Sequence, residues 1–310
     1  MNAVGAIGAV TVGTARWMAW IARGWPKNHP PTPRVPGTPD SCPSECFFAS
    51  YTSLDRPVLL NDWGRSAAEL GWTPAYLQQR KWPSSVRLVT RAITPGEPAI
   101  IFLTNSDLAR NISVEVIETH RVVELFLRKP NTRFAYRAVV RIEHLPASLR
   151  AALPTSQRWD DAGLWFQSPG VVTPFHYDSH HGLLHQLHGE KRVLLYPPHL
   201  GYAHLDPFSP LSLAGCHTSR IGSTSAFDPR EVRLAASAPG ATGAPFDFTL
   251  HPGQTLYIPP FWWHHVEALG LSISMVARAT LEDADRMNPL YPRVLLESLV
   301  KRVGRVSTAT

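Results

Sequence analysis

Apolar and polar residues alternate most clearly in the second half of the chain, where the pattern predicts short β-strands. Leu271–Met275 alternates strictly between large apolar residues and serine, as in a strand with one buried face. Similar short runs of aliphatic or β-branched residues, separated by Gly and Pro, lie at Leu164–Gln167, Thr173–Asp178, Lys191–Tyr196 and Thr255–Pro259. Many short strands and few long helices indicate a mainly β fold, a sandwich or barrel, for which a jelly roll is one solution.

The preceding part of the chain has a more mixed pattern. Strands are predicted at Val86–Thr90, Pro98–Leu103 and Ile112–Ile117. A helix is predicted from Thr73-Pro74 through Arg80, because proline fits the first turn of a helix. A second short helix is predicted near Pro146–Leu153, so the β core is expected to carry flanking helices.

Both ends of the chain differ from this region. Seven prolines lie within residues 26–43, which excludes a helix or a central strand there. Residues 1–45 are therefore predicted to be an apolar leader and Pro-rich linker without ordered structure, followed by a folded domain over residues 46–280. Over residues 281–310, apolar residues at helical spacing predict a C-terminal helical segment that packs on its own barrel or forms a homodimer contact.

Composition narrows the classes of partner. Hydrophobic residues make up 44% of the 310 positions and charged residues 17%, which is typical of a globular protein. The net charge of +6 is spread out rather than gathered in a basic block, so no nucleic-acid partner is expected, whereas an acidic peptide is compatible. Arg16 interrupts the apolar leader well short of a membrane span, so no membrane association is expected. Three cysteines, an odd number, favour free thiols in a reducing cytoplasm.

Candidate metal ligands lie in the segment Thr173–Asp178. Residues two apart on a strand point to the same face, so His176 and Asp178 can reach one point. One more imidazole would complete a triad of two histidines and one carboxylate, which leaves positions of an octahedral iron open for cosubstrate and oxygen. By itself a His-x-Asp pair is common, and the alternative is a polar strand face without a metal.

A later segment offers the third ligand. In Tyr257–His265, a strand and a turn are followed by Trp262-Trp263 and then by His264-His265. Indole rings beside a ligand histidine can exclude water, which suits oxidative chemistry. The residues alone leave alternatives open, since either histidine can be the ligand, or two core tryptophans can precede two surface histidines.

Several motifs, in order along residues 55–280, resemble those of JmjC-type, cupin-like oxygenases. They are Arg56-Pro57-Val58, Asp62-Trp63, Trp72-Thr73, Tyr76-Leu77, Leu164-Trp165, Gly170, Thr173-Pro174, His176-Tyr177-Asp178, Gly189-Glu190-Lys191-Arg192, Leu195-Tyr196-Pro197-Pro198, Pro252-Gly253, Tyr257-Ile258-Pro259 and Trp262-Trp263-His264. The similarity is greatest to the asparaginyl-hydroxylase branch, whose members hydroxylate protein side chains. The resemblance implies a double-stranded β-helix, which is the jelly roll of the cupins.

The resemblance also implies a metal centre and its cofactors. Fe(II) would be held by His176, Asp178 and His264, which together form the catalytic centre. His264 is preferred over His265 because the family's ligand directly follows the tryptophan. The implied cosubstrates are 2-oxoglutarate and O2.

A binding site for 2-oxoglutarate follows from the same resemblance. Lys191 and Thr173 match the family's ligands for the distal carboxylate, and Tyr136 is a further candidate donor. A buried dianion needs a cation and hydroxyl donors, so these residue types suit the role. The residues expected to line the pocket are Trp165, Trp263 and Gly182.

The chain departs from the family pattern at two kinds of position. Many relatives have asparagines that hold the cosubstrate where this chain has Gly182 and Ala277, so the geometry of the cosubstrate is expected to differ here. A run of four histidines is interpreted as surface and pocket-edge side chains rather than a second metal site, because no carboxylate or cysteine accompanies it. These histidines are His180, His181, His185 and His188.

The function implied is hydroxylation of a side chain on a protein or peptide, coupled to decarboxylation of 2-oxoglutarate to succinate. Aspartate rather than glutamate at position 178, and a sequence without a histone-reader module, argue against lysine demethylation. Two alternatives stay open. One is an oxygenase that tailors a small molecule or a biosynthetic peptide precursor, and the other is a metal-binding cupin module without catalytic activity.

Overall fold

Two β-sheets dominate the fold in the computed structural model of the chain. The residues that the structure describes are 34–35, 57–60, 71–80, 84–92, 99–100, 112–128, 132–151, 153, 159–198, 219, 246–281, 291–292 and 294–296.

The larger sheet has nine strands. They are β1 (Arg34–Val35), β2 (Val58–Leu60), β3 (Ser85–Ala92), β5 (Ile112–Glu118), β6 (Thr132–Arg141), β7 (Trp159–Gln167), β9 (His181–His188), β12 (Thr255–Ile258) and β14 (Ser272–Ala279). Their order is β1-β2-β12-β9-β14-β7-β6-β3-β5. Apart from the parallel pair β1–β2, neighbouring strands run antiparallel.

The smaller sheet has five strands and carries most of the predicted metal site. They are β4 (Ala99–Ile100), β8 (Val171–Tyr177), β10 (Lys191–Tyr196), β11 (Phe246–Leu250) and β13 (Trp263–Ala268). Their order is β11-β10-β13-β8-β4. Strand β13 therefore lies between β10 and β8 and pairs antiparallel with both.

Short helices accompany the sheets. They are α1 (Pro74–Arg80), α2 (Thr119–Arg128), α3 (Ala147–Ala151) and a 3-10 turn at Ile142–His144. Helix α1 begins at proline, and the hydroxyl of Thr73 accepts a hydrogen bond from the backbone N–H of Tyr76 at 3.2 Å, which caps the first turn. Within the described parts of the chain, no helix is long and apolar enough to cross a membrane.

Alternation along the strands gives each sheet an inner face toward the other sheet and an outer face away from it. Inner residues of both sheets meet in one apolar cluster, which contains Leu184 and Leu256 from the larger sheet and Val193, Leu195 and Val266 from the smaller sheet. Most of the free energy that holds the sheets together comes from this burial, at about 25 cal/mol per Å² of apolar surface.

The two outer faces are covered differently. The outer face of the larger sheet packs against helical residues such as Leu77 of α1 and Leu149 of α3. The outer face of the smaller sheet forms an aromatic cluster against which Tyr291 and Val294 pack. The C-terminal segment thus contacts its own barrel, and the predicted homodimer contact stays a prediction.

The predicted mainly β, cupin-like jelly roll with flanking helices is confirmed. Strand β9 was not predicted, because its histidines hide the alternation of a buried strand. Residues Arg34–Val35, within the linker predicted to lack ordered structure, instead form an edge strand, where neighbouring prolines remove no central ladder bond. The other residues of 1–45 lie outside the described part, and the predicted domain limits and cytoplasmic location stay predictions.

Candidate metal centre

Strand pairing brings together the three predicted metal ligands. His264 on β13 lies directly opposite His176 on β8, and Asp178 follows the last residue of β8. One ligand atom from each of the three side chains lies within 4.8 Å of the other two. The rings of His176 and His264 are 4.0 Å apart between centroids, and Nε2 of His264 is 4.0 Å from Oδ2 of Asp178.

Backbone carbonyls orient both imidazoles. Nδ1 of His176 lies 2.8 Å from the carbonyl oxygen of Pro174, and Nδ1 of His264 lies 3.0 Å from that of Trp262. A carbonyl can only accept, so each Nδ1 carries the proton and donates it. Each Nε2 then has its lone pair available for a metal ion, which is the usual way a backbone partner fixes a ligand histidine.

The charges around Asp178 favour its ionised form. Burial alone would raise the pKa of Asp178, but electrostatic interactions with His176, His264, Arg278 and His180 outweigh it. Together they hold the pKa of this carboxyl well below its usual range. A carboxylate beside two imidazoles that carry their proton on Nδ1 fits a divalent first-row metal such as Fe(II).

His265, the alternative ligand, lies on the opposite face of β13. It pairs with Leu194, which belongs to the outer aromatic cluster, and its ring lies 5.2 Å from that of Phe175. His264 instead pairs with Leu195, which belongs to the inner cluster. Of the two histidines, His264 is therefore the one that faces Asp178.

Trp263 does not line the pocket, contrary to the prediction. Its side chain is fully buried in the outer cluster and meets Tyr177 edge to face at 4.9 Å. Successive residues of a strand point to opposite faces, so the neighbour of an inward ligand points outward. Trp262, which precedes the strand, packs in the inner cluster instead.

Lys191 points into the space between the sheets. Its side chain is 3% exposed, and Nζ donates a hydrogen bond of 2.7 Å to the hydroxyl of Ser274 on β14 of the opposite sheet. Burial lowers the pKa of Lys191 to about 7. No carboxylate of the described residues pairs with it, so an anionic ligand would supply the missing charge.

A β-bulge places Thr173 on the same inner face as His176. The pairing shifts between His264 and Val266, so that Val266 lies opposite Thr173, three residues from His176. Paired residues share a face, and Val266 belongs to the inner cluster. Thr173 is therefore in position to share a ligand with Lys191, while its role stays a prediction.

Two other predicted residues lie on the larger sheet. Trp165 on β7 lies opposite Ser274, whose side chain points inward to Lys191, so the indole is on the inner face as predicted for a pocket residue. Tyr136 lies on β6 opposite Phe166. Its side chain is outside the described residues, and its contact with the cosubstrate stays a prediction.

The two positions that lack the family's asparagines lie on different faces. Gly182 pairs with Arg278, and Ala277 pairs with Leu183. Ala277 is fully buried in the outer core of the larger sheet, so it does not line the pocket, and the prediction that it changes the cosubstrate's geometry is corrected. The side chains of its two neighbours on β14, Val276 and Arg278, point inward instead.

Two of the four clustered histidines belong to the core rather than the surface. Nδ1 of His181 lies 2.9 Å from the hydroxyl of Tyr257, and Nδ1 of His185 lies 2.7 Å from that of Thr255. Both side chains are buried, which corrects their interpretation as surface residues. Within the described residues, the group of three side chains that could hold a metal ion is the triad of His176, Asp178 and His264.

The sequence did not indicate Ser274, Arg278 or Asp161. All three lie on the inner face near the predicted ligands, but far from them along the chain. The alternation predicted for Leu271–Met275 held the missing signal. Extending it by three residues places Arg278 on the same face as Ser274.

A mainly β jelly roll with two histidines and one carboxylate on its inner face defines a cupin-type metal centre. The family model described as a cupin-like domain matches residues 43–278, and the chain belongs to this family. JmjC-type members of the family use Fe(II), 2-oxoglutarate and O2.

Named relatives are similar over part of their length. The chain is 39% identical over 112 residues to lysine-specific demethylase JMJ30 of Arabidopsis thaliana, which covers 36% of this chain and 24% of the relative. It is 36% identical over 115 residues to Jumonji C domain-containing protein 5 of Drosophila melanogaster, covering 37% and 26%. These matches span about a quarter of each relative. The X-ray structure of E. coli ycfD is similar with a TM-score of 0.44 and 19% identity, over 79% of this chain and 55% of that chain.

Proposed function

We propose that the protein is an Fe(II)- and 2-oxoglutarate-dependent oxygenase that hydroxylates a side chain of a protein or peptide. The observation that carries the proposal is the shared inner face. Two histidines and an aspartate converge there, and a buried lysine without a carboxylate partner among the described residues points into the same space. A metal centre alone does not need the lysine, whereas a dicarboxylate that reaches from the metal does.

The triad would hold the metal in this scheme. His176 and His264 offer Nε2, since their Nδ1 protons are held by backbone carbonyls, and Asp178 offers an ionised carboxylate. When bound, Fe(II) and 2-oxoglutarate together with O2 supply an oxidant that replaces a substrate C–H bond with C–OH, while 2-oxoglutarate becomes succinate. The protein's share is to position the target carbon and to exclude water.

Lys191 would hold the far carboxylate of the cosubstrate. The ammonium would exchange a hydroxyl partner for a charged partner in a buried place, where a charge-assisted hydrogen bond is strong. Ser274 keeps Nζ in place at 2.7 Å before the ligand arrives. Thr173, on the same face, is the predicted second donor.

The preference for a protein or peptide substrate rests on the relatives and on charge. The Arabidopsis relative is named a lysine-specific demethylase, and a lysine side chain belongs to a protein. The positive net charge of this chain is compatible with an acidic peptide. The relatives' name also favours a second candidate, oxidation of an N-methyl group on lysine, which a peptide assay can include directly.

Anaerobic titration tests the cofactor half of the proposal. Adding Fe(II) and 2-oxoglutarate should produce a visible charge-transfer band that His176→Ala abolishes and Lys191→Ala weakens. Arg192→Gln is the matched control, because Arg192 follows Lys191 on β10 but forms an exposed ion pair with Asp247 on the neighbouring strand β11. Iron binding without the band would instead favour a metal-binding cupin module.

Mass-shift screening tests the substrate half. Pools of unmodified peptides, N-methyl-lysine peptides and small metabolites are incubated aerobically, and succinate and a mass gain of one oxygen are measured. Succinate coupled to unmodified peptides supports side-chain hydroxylation. Coupling to small molecules alone supports the tailoring alternative, and loss of a methyl group supports demethylation.

A further inference from the structure

A row of three residues crosses the inner face of the larger sheet beside the metal centre. Arg278 on β14 lies between Gly182 on β9 and Asp161 on β7, each directly opposite it. The pairing of β14 is regular from Ser274 to Arg278, and the side chain of Ser274 points inward to Lys191. Period-two alternation therefore points Arg278 inward as well.

Arg278 lies near the metal end of the interior. It lies opposite Gly182, which is four residues after Asp178 along the chain. Along β14 it is four residues, or about 13 Å, from Ser274, where Lys191 is held. His264 pairs with Leu195, which is likewise four residues from Lys191 on β10. The lysine and the arginine thus mark opposite ends of the cavity.

The guanidinium is held by one edge. Nε of Arg278 lies 3.3 Å from Oδ1 of Asp161, and the arginine side chain is 16% exposed. The contact is an ion pair without hydrogen-bond geometry, so it leaves the five N–H donors of the planar guanidinium fork unused. Among the described residues, none hydrogen-bonds to the two terminal nitrogens, so the part of the fork that binds carboxylates is available.

Gly182 leaves room beside this fork. A Cβ at this position would meet only ordinary contacts, with the backbone oxygen of Ile258 at 3.7 Å and its Cβ at 3.9 Å. Glycine is therefore not required here by packing. Its effect is to keep open the space on the side of Arg278 opposite Asp161, where a ligand can approach.

We propose that Arg278 binds a carboxylate of the substrate and so selects peptides with Asp or Glu near the oxidised position. Asp161 is the positioning residue that orients the guanidinium. The inference rests on the proposed function, in which Lys191 binds the far carboxylate of the cosubstrate and Arg278 is left for the substrate. The metal-side carboxylate of 2-oxoglutarate is the rival source of the same chemistry, and the test separates the two.

The test is selection from a randomised peptide library. Immobilised protein, loaded with Mn(II) and 2-oxoglutarate so that no turnover occurs, is exposed to the library, and retained peptides are identified by mass spectrometry. Wild-type protein should enrich Asp and Glu about tenfold at one position, as expected for one charge-assisted contact. Arg278→Gln should lose this enrichment, Arg278→Lys should retain part of it, and Arg192→Gln should behave as wild type.

Titration of 2-oxoglutarate gives the second readout. Its affinity should change by less than about twofold in Arg278→Gln, because the arginine contacts the substrate. If the wild type shows no acidic preference, the inference is overturned, and a large loss of 2-oxoglutarate affinity in Arg278→Gln would assign the contact to the cosubstrate. If the wild type does not bind 2-oxoglutarate, the proposed function fails, whereas Arg278-dependent selection of acidic peptides still supports the site.

Discussion

The two faces of the smaller sheet are formed by alternate residues of the same strands, but their chemistry differs completely. On the inner face, His176, His264 and Lys191 present nitrogen atoms to a shared space. On the outer face, Tyr177 and Trp263 interlock in an aromatic core. Polar residues that can bind a ligand thus alternate with apolar residues that pack in the outer core. This packing holds the polar side chains in position.

Trp263→Ala should have the largest effect, a decrease in the stability of the fold. Removing a fully buried indole from the outer cluster is expected to lower the free energy of unfolding by about 3–5 kcal/mol. Urea denaturation measures this change. Since the side chain points away from the ligands, the fraction that stays folded should bind metal normally, and weaker binding there would mean that the two faces are coupled.

Substitutions of the adjacent histidines should have different effects, one on metal binding and the other on stability. His264→Ala is expected to weaken metal binding by more than about 100-fold, because a ligand is lost. His265→Ala should leave metal affinity unchanged and cost about 1–3 kcal/mol of stability, because its ring packs on Phe175. Calorimetric metal titration and thermal melting of both variants are the measurements, and the reverse result would place the ligand at His265.

Asparagine substitutions should distinguish the faces of the larger sheet. Ala277→Asn places an amide in the apolar outer core and should cost about 1–3 kcal/mol of stability. Gly182→Asn places it on the inner face, where a Cβ meets only ordinary van der Waals contacts, so stability should change little while the affinity for 2-oxoglutarate changes. Equal destabilisation by both would contradict the assignment of the faces.

The affinity for 2-oxoglutarate should fall as pH rises above 7. The dicarboxylate binds the ammonium form of Lys191, whose pKa burial lowers to about 7, so each further pH unit should cost up to about tenfold in affinity. Isothermal titration from pH 6 to 9 measures this slope. Lys191→Met should show weak binding without it.

The same lysine should make the free protein more stable at higher pH. Between about 7 and its ordinary value of 10.5, the unfolded chain binds more protons at this position than the folded chain. The free energy of unfolding therefore rises through that range. In Lys191→Met this contribution is absent, and melting curves against pH in both proteins provide the control.

Short-range patterns and the resemblance to cupin-like oxygenases were sufficient to predict the fold and the candidate ligands. Alternating strands, glycine and proline punctuation, and a His-x-Asp pair are local features, and they correspond to β8, β13 and β14. The prediction was wrong about which face of the sheet a residue at the start of a strand points to. Trp263 was assigned to the pocket because it neighbours His264, although neighbours on a strand point apart.

Contacts between distant segments that the family resemblance did not imply were not predicted. Ser274 is separated by 83 positions from Lys191, and only the packing of two sheets brings them together. The sequence predicts a surface or pocket-edge position for His185, because no local pattern shows that Thr255 on a neighbouring strand would accept or donate its hydrogen bond. The alternation of β14, which places Arg278 rather than Ala277 toward the interior, continues past the predicted segment Leu271–Met275.

The position of β13 between β8 and β10 has a consequence for biosynthesis. Strand β8, which contains His176 and is followed by Asp178, and strand β10, which contains Lys191, are made before β13. Each pairs with β13 rather than with the other. On the ribosome, the nascent chain therefore carries an aspartate and a histidine without their third partner until residues 263–268 have emerged. The triad is consequently complete only late in synthesis, and a chain stalled before this strand would lack its third member.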